Sequence, residues 1–501
     1  MLTKPTKHLL LCLLSLTALT AACGGQLDDQ QDQSIDDEAW SAAGNPAIFG
    51  SGLEYKLANL ATKGEAKQIP WAGSYWPTAQ DNINYRWAGA NTDSPAAKYG
   101  KAFGVTGVED AVSKNHGIDS MTGSKACTKS SECSSENGEM CAKRTGQSAG
   151  RCIPTWFGIC HGWTPAAILL PEPKHAVVKN GVTFAIEDLK ALASLAHDRT
   201  TSKFVSLRCD TTNRANDMAF DKYGRPVDES CRDSNAGTYH ILLGNYLGKG
   251  KSFAEDRTQD SEVWNQPLRG YRVLSQKEVT AQEANRLIGV PAEGGQSSSK
   301  SGTVAKAAWS HNAPVAVVAG QVYSVKLSGT GDADLYVKFG AQPTTSSYTC
   351  RPYVNGSAEE CSGTVPTGAT QLFVSVRGDA ATSNFSVTTS AGGQVPVKYV
   401  FNSAATKFVS VKTDVDYISE TSAETDGYLT PHIDSYTRTD HYEYILELNA
   451  SGAIIGGEWV GESKQSHPDF IWLPTGVAAT TVAGGKISYA NVKAMMDESV
   501  K

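Results

Sequence analysis

Eleven cysteines are spread unevenly along this 501-residue chain, and their arithmetic limits the folds open to it. Cys12 and Cys23 fall in the first 23 residues, where Lys4 and Lys7 precede an apolar run from Leu9 that ends in small residues. That pattern is an export signal, too short for a membrane span, so the other nine cysteines should meet an oxidising compartment and pair. Cys127, Cys133, Cys141 and Cys152 share one polar, loop-rich stretch and should form a two-disulfide knot, with three connectivities open. Cys209 and Cys231 flank a polar loop, and Cys350 and Cys361 lie close together. Nine is odd. The residue left over is Cys160.

Cys160 sits in WFGICHGWTPAAILL, Trp156 to Leu170, between small and aromatic residues at the start of an apolar run. Thr164-Pro165 is a helix-opening pair, and Ala166 to Leu170 are good helix formers. A thiol near a helix N-terminus lies beside unsatisfied N–H groups and the positive end of the macrodipole, which favours its thiolate. A free thiol in this setting is a candidate nucleophile; the plain alternative is a buried inert cysteine or half of a disulfide.

The length predicts two to four folding units. A net charge of −7 gives no electrostatic reason to expect nucleic acid or an anionic membrane surface as a partner, and 47 glycines predict many turns and considerable β structure. No later segment is apolar enough to span a bilayer. Thr20-Ala21-Ala22-Cys23-Gly24 resembles a bacterial lipobox, which implies lipidation at Cys23 and an outer-membrane or cell-surface lipoprotein; simple secretion is the alternative. Residues 1–23 are then the leader, and the acidic, Gln-rich 24–45 a disordered tether.

Trp71, Trp76 and Trp87 are assigned to packing. Val182 to Asp198 carries Ile186, Leu189, Leu192 and Leu195 on one helical face, with His197 as a solvated helix-end residue. GTYHILLGNYLG reads as a strand carrying His240, and KSFAEDRTQDSEVWNQPLRGYRV as a second carrying Asp256, with Asp260 as a competitor. A thiol nucleophile needs a base, and the base needs an orienting group. The order Cys160, His240, Asp256, on a helix start and two successive strands, matches the papain-like arrangement. His432, His441 and His467 are alternative bases. No His/Cys cluster has zinc spacing.

VWNQPLRGYRV, Val263 to Val273, is similar to the surface peptide by which plants recognise oomycete transglutaminases. The likeness extends to IPWAGSYWPTAQDNINYRW, CIPTWFGICHGW, CRDSNAGTYH, HIDSYTRTDHYEYILELN and GGEWVGESKQSHPDFIWLP, so the chain resembles the transglutaminase elicitor family over most of 68–474. The resemblance implies an α+β, papain-like, calcium-dependent transglutaminase, with Cys160 as nucleophile, His240 as base and Asp256 as its orienter. Its partners would be proteins bearing glutamine and lysine. The Cys160 backbone N–H is one expected oxyanion donor and the Trp156 indole a second; Pro154 stands where papain-type enzymes carry glutamine. Asp414 and Asp416 open like an EF-hand loop, but Ile418 stands at the third ligand position. Acidic residues in Asp217 to Asp233 are a further region to examine for calcium.

This fold is interrupted. Residues 46–293 form its first part, GGQSSSKSG (294–302) a flexible linker, 303–393 a small antiparallel β-sandwich of short alternating strands, and 394–501 the second part. GTGDADLYVKFG and the sequence after it resemble the bacterial pre-peptidase C-terminal domain, which implies an internal Cys350–Cys361 disulfide and a role in binding a surface or polymer ligand or in secretion. Asp332 and Asp334 read as a solvated turn rather than a calcium site. The sandwich should project from a loop with its ends close together. From Lys398 onward the chain reads as strands, with a hairpin at Asn449 to Gly452, that complete the sheet holding His240.

The expected reaction is glutamine–lysine isopeptide formation through a Cys160 thioester. A cysteine peptidase or amidase with the same three residues, and a non-catalytic surface-binding lipoprotein, are the alternatives.

Overall fold

The computed structural model describes residues 40–209, 219, 221, 225–258, 262–290, 295–393 and 395–501. Cys23, the leader, residues 24–39, Asp217 and Asp260 lie outside them. An antiparallel sheet organises the main unit. Its strands are β1 (Lys63–Glu65), β2 (Thr201–Val205), β3 (Ala254–Asp256), β4 (Asn265–Val279), β5 (Lys407–Ile418), β6 (Thr437–Leu448), β7 (Ile454–Trp459) and β8 (Ile471–Gly476). The order is β7-β6-β5-β4-β3-β8-β2, with β1 paired to β4. The segment after the insertion therefore supplies three neighbouring strands at one side, and the Asn449–Gly452 hairpin joins β6 to β7, with the Asn449 side chain accepting from the Ser451 and Ala453 backbones.

Strand alternation gives this sheet two differently clad faces. Phe253, Leu268, Ile471 and Val205 point to one face, where they meet Ala236, Tyr239, Ile241, Leu242 and Leu243 of a helix over Ala236–Asn245. Ala254, Val263, Phe470 and Trp472, with Phe204, point to the other, where they meet Ile168 of a helix over Cys160–Leu169. Helices α1 (Pro95–Phe103), α2 (Val108–His116), α3 (Cys160–Leu169), α4 (Ile186–His197) and α7 (Tyr489–Ser499) pack on this second side, while α5 (Ala236–Asn245) and α6 (Ala281–Ile288) do not. Trp71, Trp76 and Trp163 are fully buried in the α3–α4 core. Trp87 lies at its rim, donating to Asp188 Oδ1 at 3.0 Å.

Several local expectations are overturned. GTYHILLGNYLG is helical, not a strand: the Asn235 side chain caps the Gly237 and Thr238 N–H groups, and an apolar run buried all round suits a core helix as well as a strand. His240 therefore lies on a helix covering the sheet. His197 is buried, its Nδ1 bonded to Ala193 O at 2.8 Å, and burial pushes it down to about 4. Most of Val263 to Val273 is buried in β4 rather than displayed at the surface.

Four disulfides form, Cys127–Cys141, Cys133–Cys152, Cys209–Cys231 and Cys350–Cys361, and Cys160 is buried outside any of them. The insertion is a β-sandwich of two four-stranded sheets. Its first strand, Gln296–Ala305, takes up most of the stretch read as a flexible linker and pairs along Thr382–Gly393, because a Ser-rich segment can serve as an exposed edge strand when a partner fixes it. Gln296 faces Ala391, so the two ends of the insertion meet as neighbours. Asp334 is not in a solvated turn; it is buried and paired with Arg351 at 3.1 Å.

Candidate active site

Cys160 is the first residue of α3, four positions before the Thr164-Pro165 pair taken to open the helix. Ile159 caps the helix through its backbone alone, and no side chain satisfies the first N–H groups. The approach to this point is tight: Ile159 N–H donates to Tyr75 O at 2.7 Å, and a Cβ on Gly158 would stand 2.4 Å from that carbonyl. Gly162 is under the same constraint, since a Cβ there would stand 2.4 Å from Ser194 O of α4. The two glycines let α3 seat against the Tyr75 loop and α4.

The Cys160 thiol faces the start of β4. Asn265 Nδ2 is 3.5 Å from Sγ, and Val263 O is 3.6 Å away. Asn265 is held at three points: its Oδ1 accepts from Trp472 Nε1 at 2.8 Å, its carbonyl accepts from Thr164 Oγ1 at 2.8 Å, and it pairs with Asp256 across β3 and β4. Because the indole takes Oδ1, the amide must turn its N–H donors toward the sulfur. Trp156, the expected oxyanion donor, is partly buried with its ring against Phe157, centroids 4.3 Å apart. Asn265 is a polar side chain that the structure brings to Sγ, and sequence order offers no signal for it because its position depends on strand pairing.

The Cys160–His240–Asp256 trio is not assembled. His240 is on α5, on the far face of the sheet from α3, and its Nδ1 bonds Tyr444 Oη at 2.8 Å; that hydroxyl is 2.9 Å from Thr413 Oγ1. Burial alone pushes His240 down to about 4, as for a core histidine. Asp256 does share the Cys160 face, opposite Asn265, but its Oδ1 accepts from Trp264 N–H and from Thr258, and its Oδ2 is buried with no hydrogen-bond partner. Burial, with Asp469 nearby, drives its carboxyl well above the usual range. Asp256 thus braces the loop between β3 and β4 and does not orient His240.

The imidazole beside the thiol belongs to His161. Its Nε2 is 2.8 Å from Asp198 Oδ1, its Nδ1 is buried, and the ring also interacts with the Cys160 sulfur. Burial disfavours its charge, but the Asp198 carboxylate and the Cys160 sulfur outweigh that and push it up to about 10. Asp198, raised by burial but lowered more by His161, His116 and Arg199, is held at about 2. His116 Nδ1 is 3.8 Å from the same carboxylate, and burial pushes its imidazole down. Glu420 completes the surroundings. Its Oε1 accepts from Gln266 Nε2 at 2.6 Å, and burial together with the Cys160 charge pushes it up to about 7.

The alternative histidines lie elsewhere. His441 is exposed and paired with Asp414 at 2.5 Å, and His467 stacks on Trp459 with its Nε2 3.3 Å from Asp233. His432 is in a short 3-10 segment. Asp414 and Asp416 lie on β5, bonded to Arg272, so they are not an EF-hand loop. Among the described residues, the one group of three or more His, Cys, Asp or Glu ligand atoms close enough to share an ion is Cys127, Cys133 and Cys152, which are in disulfides. Among the described residues, then, no three carboxylates are close enough together to share the calcium that the family resemblance implies.

The fold is thus α+β, with a buried thiol at a helix start against the central strand of an antiparallel sheet and beside a carboxylate-bound imidazole. The sequence profile described as transglutaminase elicitor matches residues 45–289 and 383–501, and that of the bacterial pre-peptidase C-terminal domain matches 314–378. The chain belongs to the transglutaminase elicitor family. It is similar to the crystal structure of the GP42 transglutaminase from Phytophthora sojae, 33% identical, covering 92% of this chain and 98% of that one with a TM-score of 0.61. Shorter likenesses, carried by the inserted domain, are to a zinc metalloprotease of Helicobacter pylori (64% over 42 residues) and the hemagglutinin/proteinase of Vibrio cholerae (64% over 42 residues). These cover 8% of this chain and 16% and 7% of the relatives, so the chain spans only a small part of their length.

Proposed function

We propose that this protein is a protein-glutamine γ-glutamyltransferase. Cys160 attacks the carboxamide of a protein-bound glutamine, ammonia leaves, and a lysine amine resolves the thioester to an isopeptide bond. The observation that carries the reading is the buried, reduced Cys160 at the N-terminus of α3, in a chain one-third identical to GP42 over nearly its whole length. Asn265 Nδ2 and the Cys160 backbone N–H are the donors for the oxyanion, since both belong to the wall that the attacked carbonyl must enter.

Four disulfides and an inserted domain shared with extracellular proteases support export, with Cys23 either lipidated or lost with the leader. The sandwich would then bind a surface or polymer and hold the transferase near its substrates. Incubation with a glutamine-bearing protein and a labelled primary amine tests the reaction. Covalent label in the protein supports transfer. Peptide cleavage without label favours a peptidase, and neither outcome, with the phenotype of C160A unchanged, favours a binding protein.

A further inference from the structure

We propose that His161, held by Asp198, is the acid and base of acyl transfer at Cys160. The proposal rests on the transferase reading for its substrates but not for its geometry. Any reaction through a Cys160 thiolate needs a proton acceptor at the thiol, and the sheet separates His240 from that position. His161 directly follows Cys160 on the first turn of α3. Its two nitrogens are differentiated: Nε2 is committed to Asp198 Oδ1 at 2.8 Å, which leaves the buried Nδ1 as the nitrogen that can exchange a proton with the neighbouring thiol. The Cys160 sulfur hydrogen-bonds the imidazole and favours its charged form.

Asp198 is a positioning residue. It is the C-cap of α4, and the close approach of α3 to α4 at Gly162 brings His161 onto it. The other ionisable groups facing this pair are His116 and Arg199 around Asp198, and Tyr75 and Glu420 around Cys160.

The proton path balances through one site. The Cys160 proton passes to His161 Nδ1, giving a thiolate–imidazolium pair. The thiolate forms a bond to the glutamine carbonyl carbon, and the carbonyl π pair moves to the oxygen. Collapse restores the carbonyl and breaks the carbon–nitrogen bond, and the leaving nitrogen takes the imidazolium proton and departs as ammonia. Acylation also removes the negative sulfur that held the proton on His161, so the imidazole becomes a base when one is required. The neutral lysine amine then attacks the thioester and loses a proton to Nδ1. The carbon–sulfur bond breaks with its pair on sulfur, and the ion pair is restored.

The thiolate content of Cys160 reads this directly. It is measured on the mature full chain as thiolate ultraviolet absorbance against pH, taken as the difference from C160A. The native protein should hold a thiolate from mildly acidic pH upward. H161Q should move that limb up toward the ordinary thiol range near ~8.5, D198N should move it partway, and H240Q should leave it in place. If H161Q lacks native near-ultraviolet circular dichroism, D198N decides alone. A native limb unchanged in whichever of these variants folds, or a limb that moves with H240Q instead, overturns the proposal. Amine incorporation is scored separately: a native low-pH thiolate that cleaves peptides without incorporating amine would reject the transferase reading and leave this one standing.

Discussion

Asn265 Nδ2 lies 3.5 Å from Cys160 Sγ while Trp472 holds Asn265 Oδ1 at 2.8 Å, so one indole fixes which end of the amide meets the reacting sulfur. Preorganised donors of this kind act where charge develops and need no reorganisation during the reaction.

N265A should therefore lower kcat by about 10²–10³-fold with little change in KM, the usual effect of removing one oxyanion donor. W156F, which removes the indole N–H and keeps an aromatic ring against Phe157, should stay close to native. Steady-state amine incorporation with both variants checks the pair. A large loss in W156F and none in N265A would return the role to Trp156.

H240Q is expected to act on stability rather than on chemistry. His240 is buried neutral, with its folded-state pKa pushed down to about 4 from an ordinary value near 6.5. Its contribution is thus whole above pH ~6.5 and falls as pH drops toward 4, because the unfolded chain takes up the proton and the folded chain resists it. At pH 7 the variant should be less stable than the native protein, through loss of the Tyr444 bond. That gap should shrink by roughly 2–3 kcal/mol by pH 4.5. Taking the difference between the two proteins removes Glu255, Glu420 and Glu458, whose raised values run the other way. Chemical denaturation at both pH values measures it; a gap independent of pH contradicts the assignment.

G162A should separate α3 from α4, because its Cβ would meet Ser194 O at 2.4 Å and both atoms belong to rigid elements. The expected result is a folded protein that has lost transfer more than stability, since the displaced contact carries His161 toward Asp198. Comparing Tm with amine incorporation tests this. A large fall in Tm with activity retained in the folded fraction would show the glycine to be structural only.

The sandwich should be removable. Gln296 and Ala391 face each other, and α6 clasps the returning chain through Gln282 to Val395 O and Asn285 to Pro396 and Lys398 O. A short Gly-Ser bridge in place of residues 295–393 should leave a folded transferase that has lost only surface retention. Loss of the native fold on excision would show instead that the two units depend on one another.

Cysteine parity isolates Cys160 and proximity pairs Cys209 with Cys231 and Cys350 with Cys361, but the interleaved Cys127–Cys141 and Cys133–Cys152 pairing is one of three connectivities that spacing leaves open. The base was misplaced for a physical reason. A papain-like order places the histidine downstream on a strand, and His240 meets that requirement only if GTYHILLGNYLG is extended. The Asn235 cap was the signal against that reading. His161 stood beside the nucleophile throughout, but its significance depends on Asp198, which reaches it only through the packing of α3 on α4. Asn265 was hidden in the same way inside the family-like peptide, where strand register decides which residue faces the thiol. The Ser-rich linker became a strand because pairing with Thr382–Gly393 overrode its composition.

The central claim is a thioester on Cys160, and intact-mass spectrometry after an acid quench tests it most directly. Incubated with a glutamine peptide and no amine, the native protein should gain the mass of that peptide less one ammonia, mapped to Cys160 on digestion. C160A should show no adduct and should lose amine incorporation by at least about 10³-fold. Amine incorporation that persists in C160A, or an adduct on another residue, would contradict the account.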